Sequence, residues 1–600
     1  NQMETLHFAE LIHVQAKKYG EKIALNHREN LTDEWSRITW TSFSEQVMAI
    51  SKALYELGVN EGDRVGQFSN NMAENLIVDY GLFSNRAIVV PMYATSTAPQ
   101  IEFIINDSEI AILFVGDQLQ YDIAFEVKER SRFLKKIIVF DRKVLLKDDS
   151  SMYFEDLLRQ GKASNRHFEI QSRMQDAVDT DLACILYTSG TTGNPKGVMM
   201  PHSCLNEAVR VHTVRIPEIT DQQTSIAFLP LSHVFERMWC YLCVARGVEI
   251  YINLRPIEIT EAIKQVRPTM MCAVPRFWEK VYAAVQDNIS KMTPFKQGIV
   301  TWALATGKKY NIDYLRLGKV PPATLKLKYF IADKLIYSKV KKTIGIEQSV
   351  LFPVAGAKLS DEINIFLRSM GIPVVYGYGL TETTASVSFF DHTGYEFGTV
   401  GKIIPDLEVK IGPDNEIMVK GKTVFPGYYK NPEANEAAFT EDGFFKTGDA
   451  GYVRGESIIL TDRIKDLFKT SYGKYIAPQE IVTRLILDKC IEQVAVIGDE
   501  KPYVTAIIAP SIPDLELYAE KNKIKYNDVD ALLSHPEIYK YMEQRILRMQ
   551  AGMANHELIK KFALITKPFS IQGGELTNTL KLKRAVILQR YKVQIDEMYL

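Results

Sequence analysis

The stretch Tyr187-Thr-Ser-Gly-Thr-Thr-Gly-Asn-Pro-Lys-Gly197 decides how the rest of this chain is interpreted. It follows an apolar run, Leu182-Ala-Cys-Ile-Leu186, which predicts a buried strand, and a helix-forming pattern begins near Ser203. Glycines let backbone N–H groups approach an anion, hydroxyl groups donate hydrogen bonds, and the lysine adds positive charge. The stretch therefore predicts a phosphate-binding loop.

The loop differs from the common P-loop pattern G-x-x-x-x-G-K-[ST], because Pro195 stands where that pattern needs its second glycine. A second candidate, Gly421-Lys-Thr423, also fails, because Glu416 occupies the position of the first glycine. These two mismatches argue against a P-loop phosphotransferase.

The composition, with 46% apolar and 24% charged residues, is typical of a soluble globular protein. A chain of 600 residues favours several domains, and the formal net charge of -1 gives no general attraction to nucleic acid. The sequence shows no signal-peptide pattern and no apolar run near the ~18–20 residues of a transmembrane helix, so we expect a cytoplasmic protein. Cys240 and Cys243 lie in an apolar helical pattern, which favours reduced core packing over a zinc site.

Strand and helix patterns alternate along the first two thirds of the chain. The predicted strands include residues 64–68, 87–92, 110–115, 136–140, 225–228, 249–252, 269–273, 349–354 and 374–376. Helical patterns lie between them, and this alternation with short connections predicts an α/β fold of doubly wound, mostly parallel sheets.

Residues 285–345 interrupt the alternation with a helical insertion. Within it, residues 316–342 contain eight basic residues and one acidic residue, with apolar residues between them. A solvated helical insertion with a core-facing apolar stripe explains this pattern. The alternative is an interfacial helix that makes peripheral contact with an anionic membrane.

The last part of the chain has a different pattern. Short strand patterns between residues 408 and 460 predict a small β subdomain, and a charged segment, Thr461-Asp-Arg-Ile-Lys-Asp466, follows them. A smaller α+β pattern continues from there to the C-terminus. We therefore expect a large domain over residues 1–464 and a smaller mobile domain over residues 465–600.

Four further stretches carry residues suited to a nucleotide. They are Val375-Tyr-Gly-Tyr-Gly-Leu-Thr-Glu-Thr-Thr384, Phe445-Lys-Thr-Gly-Asp449, Asp462-Arg463 and Gly574-Glu-Leu-Thr-Asn-Thr-Leu-Lys-Leu-Lys-Arg584. Each alone is explained by a turn, a helix cap or a solvated basic loop. Together with residues 187–197, and in this order, they resemble the adenylate-forming enzymes: acyl-CoA synthetases, luciferases and peptide-synthetase adenylation domains. The resemblance covers nearly the whole chain.

The resemblance implies roles for the matching residues. Thr381 would contact phosphate, Glu382 would hold Mg²⁺, and Lys581 would be the catalytic lysine. Lys465 and Asp466 would form the hinge between the two domains. Lys196 would be a further catalytic residue. The implied nucleotide-binding residues are Thr188, Ser189, Gly190, Thr191, Thr192, Gly193, Gly356, Ala357, Tyr378, Gly379, Asp449 and Arg463.

Two positions depart from the pattern of these enzymes. Asn578 stands where proline is common, which we expect to loosen the lysine loop slightly. Tyr472 stands where glycine is frequent, in a loop that faces coenzyme A in the resembling enzymes.

Within the superfamily, the sequence most resembles the long-chain fatty acyl-CoA synthetases. The matching stretches are Pro230-Leu-Ser-His-Val-Phe-Glu-Arg237, Val274-Pro-Arg-Phe-Trp-Glu-Lys280 and residues 470–479, and His233 falls near the reacting carboxylate. The resemblance implies a fatty acid–CoA ligase that uses ATP, Mg²⁺ and coenzyme A and forms an acyl-adenylate. The alternatives are a fatty acyl-AMP ligase or carrier-protein synthetase that does not use free CoA, and an inactive lipid-binding scaffold.

Overall fold

The computed structural model describes residues 7–188, 193–391 and 393–600. Its first sheet has seven strands, in the order Ser151–Tyr153, Lys136–Val139, Ile112–Val115, Arg64–Phe68, Ile88–Met92, Leu182–Tyr187 and Gly197–Pro201. All neighbours pair in parallel except the last two strands, which are antiparallel. The phosphate-loop stretch therefore connects two strands of one hairpin, and its helix, His202–Arg215, begins after the second strand. The sequence patterns predicted the first strand and the helix but missed the returning strand.

Two further sheets lie side by side. The four-stranded sheet has the order Thr224–Ala227, Glu249–Ile252, Ile23–His27 and Ser36–Thr39. The eight-stranded sheet has the order Phe352–Val354, Val374–Tyr378, Ser388–Phe389, Lys402–Ile403, Ser457–Arg463, Phe445–Arg454, Glu416–Lys420 and Glu408–Ile411. Single parallel bridges from Met270 to Ser225 and to Leu351 connect the two sheets. The strand predicted at residues 269–273 is thus reduced to isolated bridges.

The strands between residues 408 and 460 continue the eight-stranded sheet. Val374–Tyr378 pairs in parallel with Phe352–Val354 on one side and antiparallel with Ser388–Phe389 on the other. The predicted β region is therefore an antiparallel extension of a parallel sheet. This continuity places the carboxyl end of Val374–Tyr378 beside the antiparallel strands.

The helices lie mostly between the strands in sequence. Up to residue 438 they are Phe8–Tyr19, Trp40–Glu56, Ala73–Ser84, Ala98–Asp107, Gln118–Arg130, Phe154–Ala163, His167–Gln175, His202–Arg215, Val234–Arg246, Ile259–Val266, Pro275–Ser290, Pro294–Lys308, Ala323–Ala332, Ser338–Ile344, Asp361–Ser369 and Pro432–Ala438. Two π-helical segments, Lys309–Tyr314 and Asp333–Tyr337, belong to the predicted helical insertion. The insertion is confirmed as helical.

Residues beyond 465 pack around their own hydrophobic clusters. The strands are Phe468–Lys469, Tyr475–Ile476, Ile491–Ile497, Val504–Pro510 and Ile559–Leu564. The helices are Pro478–Leu485, Ile512–Lys521, Val529–Ser534, Pro536–Met549, Arg584–Arg590 and Lys592–Met598. Two clusters of buried apolar side chains draw all their buried members from residues 468–598. The mixed α+β pattern predicted for this part is confirmed.

The six cysteines are free and buried, including Cys240 and Cys243, as the apolar pattern predicted. Among the residues that the structure describes, no helix combines the length and apolarity that a membrane span requires.

Candidate active site

A backbone hydrogen bond closes the phosphate-loop hairpin where its two strands end. The Thr188 N–H donates to the carbonyl oxygen of Lys196 at 2.9 Å, just beyond the paired strands. Gly193 has a φ of +73°, in the left-handed region that favours glycine. Ser189, Gly190, Thr191 and Thr192 lie outside the described residues. The hairpin therefore fixes both ends of the predicted loop.

A segment from another part of the chain lines the hairpin. The Tyr429 N–H donates to the Gly197 carbonyl oxygen at 2.7 Å. The Lys196 ammonium lies 4.9 Å from the centre of the Tyr428 ring, a cation–π contact. Sequence reasoning missed Tyr428, although the Pro-Gly-Tyr-Tyr run around it is an aromatic pair after a turn. Its ring orients the lysine.

The turn after Val374–Tyr378 carries Glu382. A Cβ at Gly379 would collide with the carbonyl oxygen of Ala385, so only glycine fits there. Thr384 adopts a left-handed φ of +53°, a strained conformation for a β-branched residue. Thr381 begins the short helical turn Thr381–Thr383, and Glu382 is buried in it. The compressed backbone fixes the position of this carboxylate.

The charges of several basic residues act on Glu382. Burial raises the pKa of Glu382 to about 7, while the positive charges of Arg463, Lys196 and Lys581 act in the opposite direction. The structure thus brings together three of the predicted basic residues around this one acid.

Asp449 lies on the opposite strand from Arg463. The two residues are direct partners in the pairing of Phe445–Arg454 with Ser457–Arg463, and Arg463 Nε lies 3.8 Å from Asp449 Oδ1. The Tyr378 hydroxyl donates a hydrogen bond to Asp449 Oδ2. Burial raises the pKa of Asp449, and Tyr378, Arg463 and Lys581 counteract that rise. A carboxylate with one fixed hydroxyl donor suits a ligand that carries vicinal hydroxyl groups.

Lys581 reaches this cluster from the C-terminal part of the chain. Partial desolvation, followed by the charge of Arg463, lowers its pKa, while Asp449, Asp466 and Glu382 raise it. Lys581 nevertheless remains exposed. Basic and acidic residues that are far apart in sequence therefore lie close enough together for their charges to interact.

His233 stands near Lys581. Its Nδ1 accepts a hydrogen bond from the Phe235 N–H at 3.2 Å and caps the helix Val234–Arg246. Burial and the nearby Lys581 lower its pKa to about 4, so the ring is neutral near pH 7 with its proton on Nε2. His233 therefore keeps an Nε2–H that can donate a hydrogen bond.

The other predicted residues occupy the surrounding loops. Gly356 has a φ of +95°, and Gly356 and Ala357 lie in the exposed loop after Phe352–Val354. The Leu359 N–H donates to the Tyr376 hydroxyl at 3.2 Å, which ties this loop to the neighbouring strand. Lys465 is exposed, and the Asp466 N–H donates to the Arg463 carbonyl oxygen at 3.0 Å.

A buried polar network supports the loop that carries His233. Arg237 and Asp79 form a fully buried ion pair, and Arg237 Nε also donates to the Leu231 carbonyl oxygen at 2.7 Å. The Glu236 carboxylate accepts the Phe228 N–H at 3.0 Å and the Leu229 N–H at 3.3 Å. Glu236 and Arg237 therefore support the loop that carries His233 and do not line the candidate site themselves.

A family model described as AMP-binding enzyme matches residues 12–429, more than two thirds of the sequence. The chain belongs to the family of AMP-binding enzymes. It is 30% identical, over 568 residues, to the long-chain-fatty-acid–CoA ligase FadD15 of Mycobacterium bovis, covering 94% of this chain and 92% of that protein. It is also 27% identical, over 628 residues, to the long-chain-fatty-acid–CoA ligase ACSBG2 of Xenopus laevis, covering 99% and 84%.

Solved structures of this enzyme family share the fold. The adenylation domain of a carboxylate reductase from Mycobacterium chelonae matches with a TM-score of 0.77 and 21% identity, covering all of this chain and 92% of that one. At this level of identity the comparison confirms the architecture, a large α/β part followed by a smaller C-terminal part.

Proposed function

We propose that this AMP-binding enzyme is an ATP-dependent long-chain fatty acid–CoA ligase. It is an AMP-forming acid–thiol ligase that uses ATP, Mg²⁺ and coenzyme A. The acid's carboxylate attacks the α-phosphorus of ATP, which gives an acyl-adenylate and pyrophosphate, and the CoA thiol then displaces AMP. The observation that carries the proposal is that Lys581 lies near enough to Glu382, Asp449 and Arg463 for their charges to act on it, while Arg463 Nε lies 3.8 Å from Asp449 Oδ1.

In the first half-reaction, negative charge builds on phosphate oxygens, so positioned cations and N–H donors supply most of the stabilisation. Lys581 and Lys196 provide the cations, and the loop from Thr188 to Gly193 provides donors. Asp449 and Arg463 hold the ribose, and Tyr378 and Gly379, with the Gly356–Ala357 loop, flank the adenine. The Nε2–H of neutral His233 orients the acid's carboxylate.

The donor set also fits a magnesium ion. Mg²⁺ is usually bound by one or two carboxylates together with substrate phosphates, and Glu382 is a single fixed carboxylate near the phosphate-loop lysine. A cation there would favour the ionised form of an acid whose pKa burial raises. The ion supplies charge neutralisation to the phosphates, with Glu382 holding it and Thr381 beside it. Glu382→Gln should raise the Mg²⁺ concentration that half-saturates adenylate formation.

The division into two domains and the hinge belong to the same proposal. The separate hydrophobic clusters of residues 468–598 support a unit that moves as a body, with Lys465 and Asp466 at its start. Lys581 then serves adenylate formation and leaves before the thiol arrives. Lys465→Pro should slow the second half-reaction more than the first.

The acid is a medium-to-long aliphatic chain. Both relatives named above are long-chain ligases, and each methylene transferred from water to an apolar tunnel contributes roughly 0.8 kcal/mol. Pyrophosphate release measured across acids from acetate to C18 should rise with chain length until the tunnel ends. A flat or falling series contradicts this substrate class.

The same assay with and without CoA separates the alternatives. Acyl-CoA formation supports the ligase, whereas adenylate formation without CoA consumption supports a fatty acyl-AMP ligase or carrier-protein synthetase. A protein that binds acid and releases no pyrophosphate is an inactive scaffold.

We include peripheral contact with an anionic membrane in the proposal. The structure divides the apolar residues of the 316–342 segment: Leu325 and Tyr337 are buried, but six large apolar residues are exposed. Two of the six, Leu317 and Val320, precede the helix Ala323–Ala332. The other four are Leu327, Phe330, Ile331 and Leu335, with 61%, 56%, 41% and 44% of their surface accessible. Their spacing of three and four residues puts them on one helix face, which we call the insertion face.

Charge complementarity favours lipid as the partner of the insertion face. Lys326, Lys328, Lys334 and Lys339 are exposed beside it. Each lysine near an anionic surface contributes about 1 kcal/mol, screened by salt, and apolar side chains can enter the lipid boundary. A long-chain acid resides in such a surface, so contact would bring the enzyme to its substrate.

Co-sedimentation with anionic and neutral vesicles at low and high salt tests this contact. Replacing the four lysines by glutamine should selectively lower binding to anionic vesicles. The matched control is the same change at four exposed lysines of the C-terminal part, Lys521, Lys523, Lys525 and Lys540. Vesicle binding that does not change with lipid charge, with salt or with replacement of the first four lysines would contradict the membrane contact and support a solvated insertion.

A further inference from the structure

The catalytic-lysine turn, residues 577–581, is closed by its own hydrogen bonds. The Thr577 N–H donates to the Lys581 carbonyl oxygen at 2.8 Å, and the Lys581 N–H donates to Thr577 Oγ1 at 3.1 Å. Leu580 adopts a left-handed φ of +65°, which is uncommon for a leucine. The turn therefore has a defined shape, and its placement depends on what holds it from outside.

Asn578 connects this turn to the large N-terminal part. The Thr95 hydroxyl donates to Asn578 Oδ1 at 2.9 Å, and Asn578 Nδ2 donates to Gln100 Oε1 at 3.4 Å. An amide side chain can accept and donate at once. The Asn578 side chain thus makes two hydrogen bonds that a proline could not make, and the expected loosening of the loop stays a prediction.

The receiving element is the helix Ala98–Asp107, which also supports the phosphate loop. Gln100 Oε1 accepts the Thr97 N–H at 2.9 Å at the beginning of this helix. At its end, Asp107 accepts a hydrogen bond from the hydroxyl of Tyr187, the residue that opens the phosphate-loop stretch. A helix of ten residues is about 15 Å long and stiff. One helix thus contacts the catalytic-lysine turn and the phosphate-loop strand.

We infer that Asn578 is a positioning residue for adenylate formation. Its hydrogen bonds with Thr95 and Gln100 hold the catalytic-lysine turn in a fixed position relative to the phosphate loop while the C-terminal part contacts the large part. The inference rests on the proposed function, and specifically on Lys581 serving the first half-reaction. If the C-terminal part rotates away for thioester formation, both hydrogen bonds break, so Asn578 contributes to one half-reaction.

The experiment measures the two half-reactions separately with wild type, Asn578→Ala, Thr95→Val and the double variant. Adenylate formation is followed as single-turnover pyrophosphate release without CoA, and thioester formation from added acyl-adenylate and CoA. Asn578→Ala should slow the first step about three- to tenfold, the value of one or two partly exposed hydrogen bonds, and leave the second unchanged. The double variant should lose no more than Asn578→Ala alone, because Asn578→Ala already removes the hydrogen bond that Thr95 donates.

The matched control is Asn527→Ala, an exposed asparagine of the same C-terminal part, which should alter neither step. Equal losses in both steps, or an Asn578→Ala enzyme with an unchanged first step, would overturn the inference. If Asn578→Ala does not fold, Thr95→Val still tests the contact from the opposite side. A wild-type protein that forms no adenylate from any acid would instead overturn the proposed function.

Discussion

The two sides of the cleft are built in different ways. On the side of His233, the side chains of Asp79, Glu236 and Arg237 are almost fully buried. Arg237 pairs with Asp79, and both Arg237 and Glu236 form hydrogen bonds with the backbone of residues 228–231. The catalytic-lysine turn on the other side is partly exposed and is connected to the large part through Asn578 at its surface. Buried charge pairs are costly to break, whereas exposed contacts contribute little each.

This difference suits a reaction with two steps. In the proposed reaction, the braced side, which is supported by Asp79, Glu236 and Arg237, would keep its geometry in both steps, and the side that carries Lys581 would leave after the first.

The buried ion pair should give the largest stability effect. Arg237→Met leaves Asp79 buried without its partner, which should lower the free energy of unfolding by about 3–5 kcal/mol in urea titrations. The control is Arg159→Met, whose exposed pair with Asp156 should contribute less than about 1 kcal/mol. Similar losses of unfolding free energy in the two variants would show that the buried ion pair stabilises the protein no more than an exposed one.

Glu236 should make the stability of the braced side pH-dependent. Burial raises its pKa to about 8, and the unfolded chain ionises near 4.5, so the folded state binds the extra proton between these values. Stability from this group is therefore present below pH 4.5 and falls as pH rises through about 8. Wild type should lose about 1–3 kcal/mol relative to Glu236→Gln between pH 5.5 and 8, since each pKa unit corresponds to ~1.4 kcal/mol. A constant gap between the two proteins across this range contradicts the buried, protonated acid.

The exposed ion pair between the large part and the C-terminal part should give the smallest effect. Arg276, from the large part, pairs with Glu492 of the C-terminal part at 2.6 Å, and both side chains are about a third or more exposed. Arg276→Ala and Glu492→Ala should each change the first half-reaction by less than about 1 kcal/mol, and less still at high salt. A loss above tenfold in either single variant would mean that this side is held as firmly as the other.

The sequence predicted the features that depend on local pattern. Alternating apolar segments predicted the α/β fold, and the resemblance of five motifs to the adenylate-forming enzymes pointed to Lys196, Glu382, Asp449 and Lys581, whose charges interact in the structure. It could not reveal contacts between distant segments, because pairing is set by tertiary packing rather than by neighbours in sequence. Asp79 and Arg237 are 158 positions apart, and Thr95 and Asn578 are 483 apart. The strand Gly197–Pro201 was missed because its apolar run is short and precedes a strong helix pattern.

The central claim is that Lys581 serves one half-reaction from a part of the chain that can leave. The most direct test is Lys581→Ala, assayed for pyrophosphate release without CoA and, separately, for thioester formation from added acyl-adenylate. The account predicts a loss of about 10²–10³-fold in the first, typical for removal of one charge-stabilising group, with the second within about twofold of wild type. Equal losses in the two half-reactions, or an unchanged first one, would contradict it.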